Sequence, residues 1–592
     1  MIRQRGNTPS DVANDILHPQ LPQELRDRTL WIMDRILEPQ TIARFMMFAA
    51  DGQLPDSQQA SPSQGTLDFE DLLLLQQPLS SWAPPPYNQN DEIPMNRIMA
   101  RIGSFEDASR LVPISKELHA MKSRLWEGVM PLSERRWNDL HLDDPDNFST
   151  ACQYFCGVIN VFHYLNLADI KSNLRDTYNL IWDHLKTFED ALNAKKTAQG
   201  QPTVNITGLW YAFIRELYDS ISNRAHHWVI THIDRLRDPI LAQLASLPEP
   251  GPRQEHLTQE HWTLTNRLHD LSQNTAQADF AIFIPTDGYK GGDIPSQDNA
   301  PPPSNSPYRE EPISFSANTR TRQADYYTRI KYLSRVELWS NFNENAGATP
   351  VPQDFHGVTD LASVASSQAR AQARARIELH GEPRIPEQET WIAEANRRLE
   401  MPTNSYESKY LAYRLCHDHT DEEWETFKTK FEADVSNWGG ELSGADNVKA
   451  NSVVEWRYVK DFGFEDGNMN VEGVKTHFNS LRQFNLVPPQ AHSNVILTAD
   501  KAVIDSYLNP TPGQGGFILA IDTDFDSNDV DSSRSDESPG YNGTLRILGS
   551  LLWDDVSALM LMQTQYLEEL WPLAMNHPRQ VYEGPAIERI TV

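Results

Sequence analysis

Residues Asn494 to Asp522 read NVILTADKAVIDSYLNPTPGQGGFILAID. NVIL at 494–497 has the continuous apolar character of a buried strand, and GFILAID at 516–522 repeats it. Between them Ala502–Leu508 is amphipathic and long enough for a short helix. GQGG at 513–516 precedes a strand and not a helix, so it reads as a turn and not as a dinucleotide phosphate cradle. The alternation continues upstream. YLAYRLC at 410–416 and VVEWRYV at 453–459 have strand character. Asp421–Trp438 is expected as a helix with Trp424, Phe427, Phe431 and Val435 inward, and Val471–Phe484 as another. Strands alternating with helices predict an α+β domain over 405–525, compatible with a ferredoxin-like sandwich, a fold that by itself implies no function.

The N-terminal half reads differently, as a mainly α helical bundle. Helices are expected at 149–166, 168–195, 207–247 and 257–271. Leu174, Tyr178, Ile181, Leu185, Phe188 and Leu192 form one stripe at steps of three or four. FAIFIP at 280–285 could be a lone strand. Upstream, Leu30, Met33, Ile36 and Leu37 suggest a helix opened by Pro22. A second helical run stops at Asp51-Gly52. The expected order is N-terminal helices (1–52), a linker with one short docked helix (53–92), and a helical domain (93–285). A disordered linker (286–323) and a helical segment (324–404) precede the α+β domain. An acidic loop (526–541) and a C-terminal helix and tail (542–592) follow it, the helix spanning Ser550–Trp571.

Over 592 residues, Lys and Arg total 52 and Asp and Glu total 82, a net charge of −30. That length suits several domains with large cores, and the fifteen tryptophans imply real globular packing. An acidic chain repels phosphate backbones and anionic membranes, so nucleic acid is a poor first partner. Three cysteines argue against a disulfide framework and for a reducing compartment. Residues 1–15 lack an apolar signal region, and no run approaches a membrane span. The expected location is intracellular, cytoplasmic or nuclear.

One stretch carries an interaction signal: IPMNRIMARIGSFEDASRLVPISKELHAMKSRLW, Ile93–Trp126. Ile98, Ile102 and Phe105 share a helix face. Leu111, Ile114, Leu118, Met121 and Leu125 continue at steps of three and four, with Lys116, Glu117, Lys122 and Arg124 outside the stripe. Ser104 and Asp107 suggest a cap, and Pro113 the start of a new helix. The reading is a small helical hairpin whose apolar face docks on a partner or packs in its own bundle. The stretch resembles an F-box, through Ile93-Pro94, Ile98, Ile102, Asp107, Ile114-Ser115-Lys116 and Leu125-Trp126. The resemblance implies a protein partner, a ubiquitin-ligase adaptor, held by Ile93, Pro94, Ile98, Ile102, Leu111, Ile114, Leu118, Met121 and Trp126. In composition, and in phrases such as NLRDTYNLIWDHL at 173–185, the chain also resembles large intracellular proteins of filamentous fungi that carry no assigned activity.

Other clusters read as structural. Cys152, Cys156 and His163 fall on one helix face but lack a fourth zinc ligand. His226, His227, His232, His256, His261 and His269 lack the spacing of a helical zinc pair. The acidic string Asp522, Asp524, Asp526, Asn528, Asp529 and Asp531 lacks the Gly and Glu of a calcium loop. The basic run Arg320–Arg335, with Tyr326, Tyr327 and Tyr332, and the Arg370–Arg376 helix read as solvated faces. No catalytic, cofactor or metal residue is assigned from sequence. The expected function is an intracellular protein-interaction protein, with an F-box-like adaptor as its specific form. The alternative is an enzyme or small-ligand binder with a pocket in the α+β domain, for which Arg414, His417, Asp418, His419 and Asp522 are the polar groups at strand ends.

Overall fold

The computed structural model describes residues 31–52, 66–104, 107–248, 255–292, 388–401, 406–440, 442–457, 470–526, 538, 540–575 and 577–585. The expected helical segment at 324–404 up to residue 387, the linker at 286–323 apart from its start, and both basic segments lie outside them. The chain forms two compact units, each assembled from separated segments. One comprises 1–34, 112–142 and 386–592; the other comprises 35–111 and 143–385. The expected domains ran in sequential order and did not anticipate this interleaving. No helix among the described residues is long and apolar enough to cross a membrane.

The helical unit is built on four long helices: Phe148–Asn166, Ala168–Ala198, Ile206–Ser246 and Glu255–Ala281. The predicted stripe from Leu174 to Leu192 is buried throughout. Tyr178 stacks on Trp210 at 5.6 Å between ring centroids. The Gln40–Asp51 helix adds Phe45 edge-on to Trp210 and Phe48 stacked on Phe213. It ends at Gly52 in the left-handed conformation, donating to the Phe48 carbonyl, as the Asp-Gly stop predicts. Buried Glu189 accepts from the Thr207 amide and hydroxyl and so anchors the start of the longest helix. FAIFIP is no strand. The last helix runs through Ala281, and Ile282 still bonds back to Ala278.

The α/β unit holds two sheets. The smaller pairs β1 (Trp31–Arg35) with β2 (Leu111–Ser115). Both differ from expectation: Met33 lies in a strand where a helix was predicted, and Leu111–Ser115 is extended. Pro113 has no amide to donate, which suits a strand in a two-stranded sheet, where half the donors need no partner.

The larger sheet comprises β3 (Lys409–Arg414), β4 (Val453–Arg457), β5 (Val495–Ala499), β6 (Phe517–Asp522) and β7 (Thr544–Leu548), in spatial order β4-β3-β5-β6-β7. β4, β3 and β5 run parallel, while β6 and β7 are antiparallel additions. A ferredoxin-like sandwich runs β-α-β-β-α-β. Here every crossover among the first three strands carries a helix, the requirement for parallel pairing. The helices are Asp421–Val435, Ala445–Asn451, Val471–Gln483 and Lys501–Leu508. The predicted inward face of the first, Trp424, Phe427, Phe431 and Val435, is buried. Its start is fixed by a capping box between Thr420 and Glu423.

The C-terminal region departs from the single predicted helix. β7 lies just ahead of the predicted start, and the predicted span itself opens with a tight turn at Gly549–Leu551, a π-helical turn at Leu552–Ser557 and one α-turn at Ala558–Leu561. Gln563 then adopts a left-handed φ of 55°, and the Thr564 amide bonds back to the Leu559 carbonyl. This Schellman-type closure ends the helix before Leu567–Met575 begins.

Candidate functional site

The stretch Ile93–Trp126 is divided between the units, 93–111 in one and 112–126 in the other. It is not a helical hairpin. A helix at Pro94–Ala100 leads through a bend into β2, and Ser115 caps the Lys116–Trp126 helix by accepting from the Leu118 amide. In the bend Asp107 pairs with Arg101 at 3.2 Å and lies 3.6 Å from Arg110. Of the nine residues assigned to partner binding, Pro94, Ile98, Ile102, Ile114, Leu118, Met121 and Trp126 are buried, and Ile93 and Leu111 are half-buried.

Lys122 and Arg124, expected outside the apolar stripe, are also buried, because each has an acidic partner within the α/β unit. Lys122 reaches Asp34 at 2.9 Å. Arg124 grips both oxygens of Asp555, at 3.1 and 2.7 Å, and donates to the Met130 carbonyl. Burial opposes the Arg124 charge, but Asp555 outweighs it and holds the guanidinium protonated more firmly than usual. The Tyr582 hydroxyl donates to Asp555 at 2.9 Å. This segment is a fastening built into a core that also includes Ala120 and Val129.

A different group of residues converges at the carboxyl ends of β3 and β5. The chain leaves β3 toward β4 on one side, whereas β5 leads on toward β6 on the other. The helices that follow β3 and β5 pack against each other on one face of the sheet, with Phe427 and Phe431 edge-on to Tyr507, and this draws the loops at the two strand ends together. After β3, the Leu415 amide still bonds to the Ala499 carbonyl of β5's end. Residues 415–420 then fold back into the Asp421–Val435 helix. In this loop Cys416 Sγ lies 3.9 Å from His419 Nδ1. The other ring nitrogen, His419 Nε2, lies 3.0 Å from Asp505 Oδ1 on the Lys501–Leu508 helix. That helix starts beside β5's end, where Asp500 accepts from the Val503 amide.

The arrangement is a thiol, an imidazole and a carboxylate in series. In the tautomer whose Nε2–H donates to the Asp505 carboxylate, Nδ1 keeps its lone pair toward the thiol. Cys416 is half-buried, the His419 side chain is 10% exposed and that of Asp505 40%. A base shielded on one side and open on the other can reach both a nucleophile and an incoming substrate. As metal ligands, Cys416 and His419 offer two donors, fewer than a tetrahedral zinc site needs.

Four of the five polar groups proposed from sequence lie in this loop or at its start: Arg414, His417, Asp418 and His419. Asp418 lies 3.8 Å from Lys501. Asp522 does not join them. It pairs in register with Val495, at the opposite end of β5, where it accepts from the Asp524 and Phe525 amides. Burial, and then the nearby Asp524, raise its carboxyl above the ordinary range. Cys416 and Asp505 were not nominated. Cys-x-x-His was legible as a local pair, but Asp505 lies far along the chain and is brought close only by the parallel β3–β5 pairing.

The remaining clusters stay structural. Burial pushes the Cys156 thiol up to about 11 and Cys152 higher still, and it lowers His163. These three do not gather around a common point among the described residues. His232 is buried against Trp228 and bonds to its carbonyl at 2.7 Å. His261 lies 3.2 Å from the Pro248 carbonyl, and nothing is described of the His256 and His269 side chains. Of the acidic string, Asn528, Asp529 and Asp531 lie outside the described residues. No family model, curated protein or solved structure matches this chain.

Proposed function

We propose that the α/β unit carries a thiol-dependent catalytic site, with Cys416 as nucleophile, His419 as base and Asp505 as the group that orients the base. This is the enzyme alternative, and its single support is the Cys416–His419–Asp505 series at the carboxyl ends of β3 and β5. The chemistry it suits is acyl transfer. The Cys416 proton passes to His419 Nδ1 as the sulfur attacks a carbonyl carbon. A carbon–sulfur bond forms, the carbonyl–leaving-group bond breaks, and the leaving group departs with the proton from His419. Water, deprotonated by His419, then attacks the thioester carbonyl; the carbon–sulfur bond breaks, a carboxylic acid leaves, and His419 returns the proton to the Cys416 sulfur. Such a thiol fits a reducing intracellular compartment, and all three cysteines are free.

The test is thiol reactivity in the folded full-length chain. Iodoacetamide is expected to label Cys416 at least tenfold faster than Cys152 or Cys156. Those two thiols are held protonated by burial, and only the thiolate reacts. His419→Ala is expected to lower the Cys416 rate about tenfold. A p-nitrophenyl ester should give a burst of one product per chain that Cys416→Ser abolishes. Equal labelling of the three cysteines together with no burst would sink the proposal.

The adaptor reading rests on the F-box resemblance of residues 93–126. It needs Ile114 and Leu118 to be accessible to a partner, whereas both are buried. Ile114→Asp is therefore expected to destabilise the chain by about 3 kcal/mol or more, because a carboxylate is forced into an apolar site. Denaturant unfolding checks it. A folded Ile114→Asp chain of unchanged stability that fails to recover an adaptor captured by the wild type would instead revive that reading.

A further inference from the structure

Arg414 ends β3, and its side chain turns back over the loop that carries the thiol and the base. Its Nε donates to the Cys416 carbonyl at 2.8 Å, and its Nη2 donates to the His419 carbonyl at 2.8 Å. The guanidinium lies over the Trp424 ring, 4.6 Å from its centroid. Nη1 is 4.0 Å from the exposed Asp421 carboxylate. One rigid, planar fork thus holds two carbonyls three residues apart, while an aromatic face from the following helix sets its plane.

We infer that Arg414 is a positioning residue that sets Cys416 against His419, an inference that rests on the thiol-site reading above. The loop between β3 and the Thr420 cap is short, and its two chemical side chains sit on the two peptide groups that Arg414 grips. Fixing those carbonyls fixes the directions in which Cys416 and His419 leave the backbone. Asp505 holds the ring from its far side. Arg414 supplies the near side of the same constraint without touching the thiol. Lysine cannot replace it: an ammonium is a point donor, and it cannot span both carbonyls while lying flat on an indole.

The experiment compares the wild type, R414K, H419A and the R414K/H419A double variant, all as full-length chains. For each, the rate of Cys416 labelling by iodoacetamide is measured from pH 5 to 10, alongside the thermal unfolding midpoint. R414K is expected to slow labelling at pH 7 about tenfold and to give a profile close to that of H419A. The double variant is expected to add little, because both changes act through one pair. R414K with a wild-type profile, whatever its unfolding midpoint, would overturn the positioning role and leave the Cys416–His419 reading standing. A wild-type profile identical to that of H419A would overturn the underlying reading itself. If R414K does not fold, R414Q, whose amide can hold one carbonyl, takes its place and is expected to fall between wild type and H419A. A wild-type profile for R414Q then overturns the inference.

Discussion

Replacing Arg124 with Met is expected to destabilise the α/β unit by about 3–5 kcal/mol, the cost of leaving a buried charge without its partner. Asp555 is fully buried, and Arg124 holds both of its oxygens. Without the guanidinium the carboxylate keeps, among the described residues, only the Tyr582 hydroxyl. The loss is not the worth of the ion pair, because bringing both charges out of water offsets most of their attraction. The double variant Arg124→Met with Asp555→Leu separates the two. It is expected to recover most of the stability, since apolar groups of similar volume often replace a buried pair at little cost. Denaturant midpoints of the two single variants and the double variant check this. A single variant as stable as the wild type would mean that water reaches Asp555.

Asp554→Asn is expected to stabilise the same unit at pH 8 and to leave it unchanged near pH 4. Burial, and then the adjacent Asp555 charge, push the Asp554 carboxyl up to about 7, with Arg135 and the Ser133 hydroxyl leaning the other way. Its ordinary value is 3.8. Between these two values the folded chain holds a proton that the unfolded chain has released. Stability therefore falls as pH rises through that interval, and the penalty is complete above about 7. Each pH unit is worth about 1.4 kcal/mol, so at pH 8 the penalty approaches about 4 kcal/mol. An asparagine of nearly the same shape carries no charge to bury. Unfolding at pH 4, 6 and 8 checks it: the gain of the variant should grow across the series. A gain that is flat with pH would show that Asp554 does not titrate in the folded state.

Both predictions concern groups whose environment is set by residues more than 400 positions away or by an unusual turn. The Lys116–Trp126 helix illustrates what sequence can carry. Its apolar stripe was legible, and Leu118, Met121 and Leu125 are buried. Lys122 and Arg124 looked like the solvated side because charged residues usually are. They are inside because Asp34 and Asp555 meet them there, and neither partner is local. The same limit hid Asp505. Cys416 and His419 are three residues apart and sit on one loop, whereas Asp505 arrives with a different strand and helix.

By itself the sequence determined the long helices of the N-terminal half, the strand–helix alternation of the C-terminal region, and the cap at Asp51-Gly52. These depend on period, burial pattern and turn chemistry within a single segment. Tertiary structure alone decided the rest. It made Leu111–Ser115 a strand, because an extended segment is satisfied only by a partner strand, here β1. It added β7 to the sheet, where TLRIL found β6 as its antiparallel neighbour. It interleaved the two units, which no local pattern encodes. The parallel pairing of β3 with β5 brought a thiol, an imidazole and a carboxylate to one edge. Hydrogen bonding and burial between distant segments are properties of the assembled fold, and the candidate site exists only where they bring those segments together.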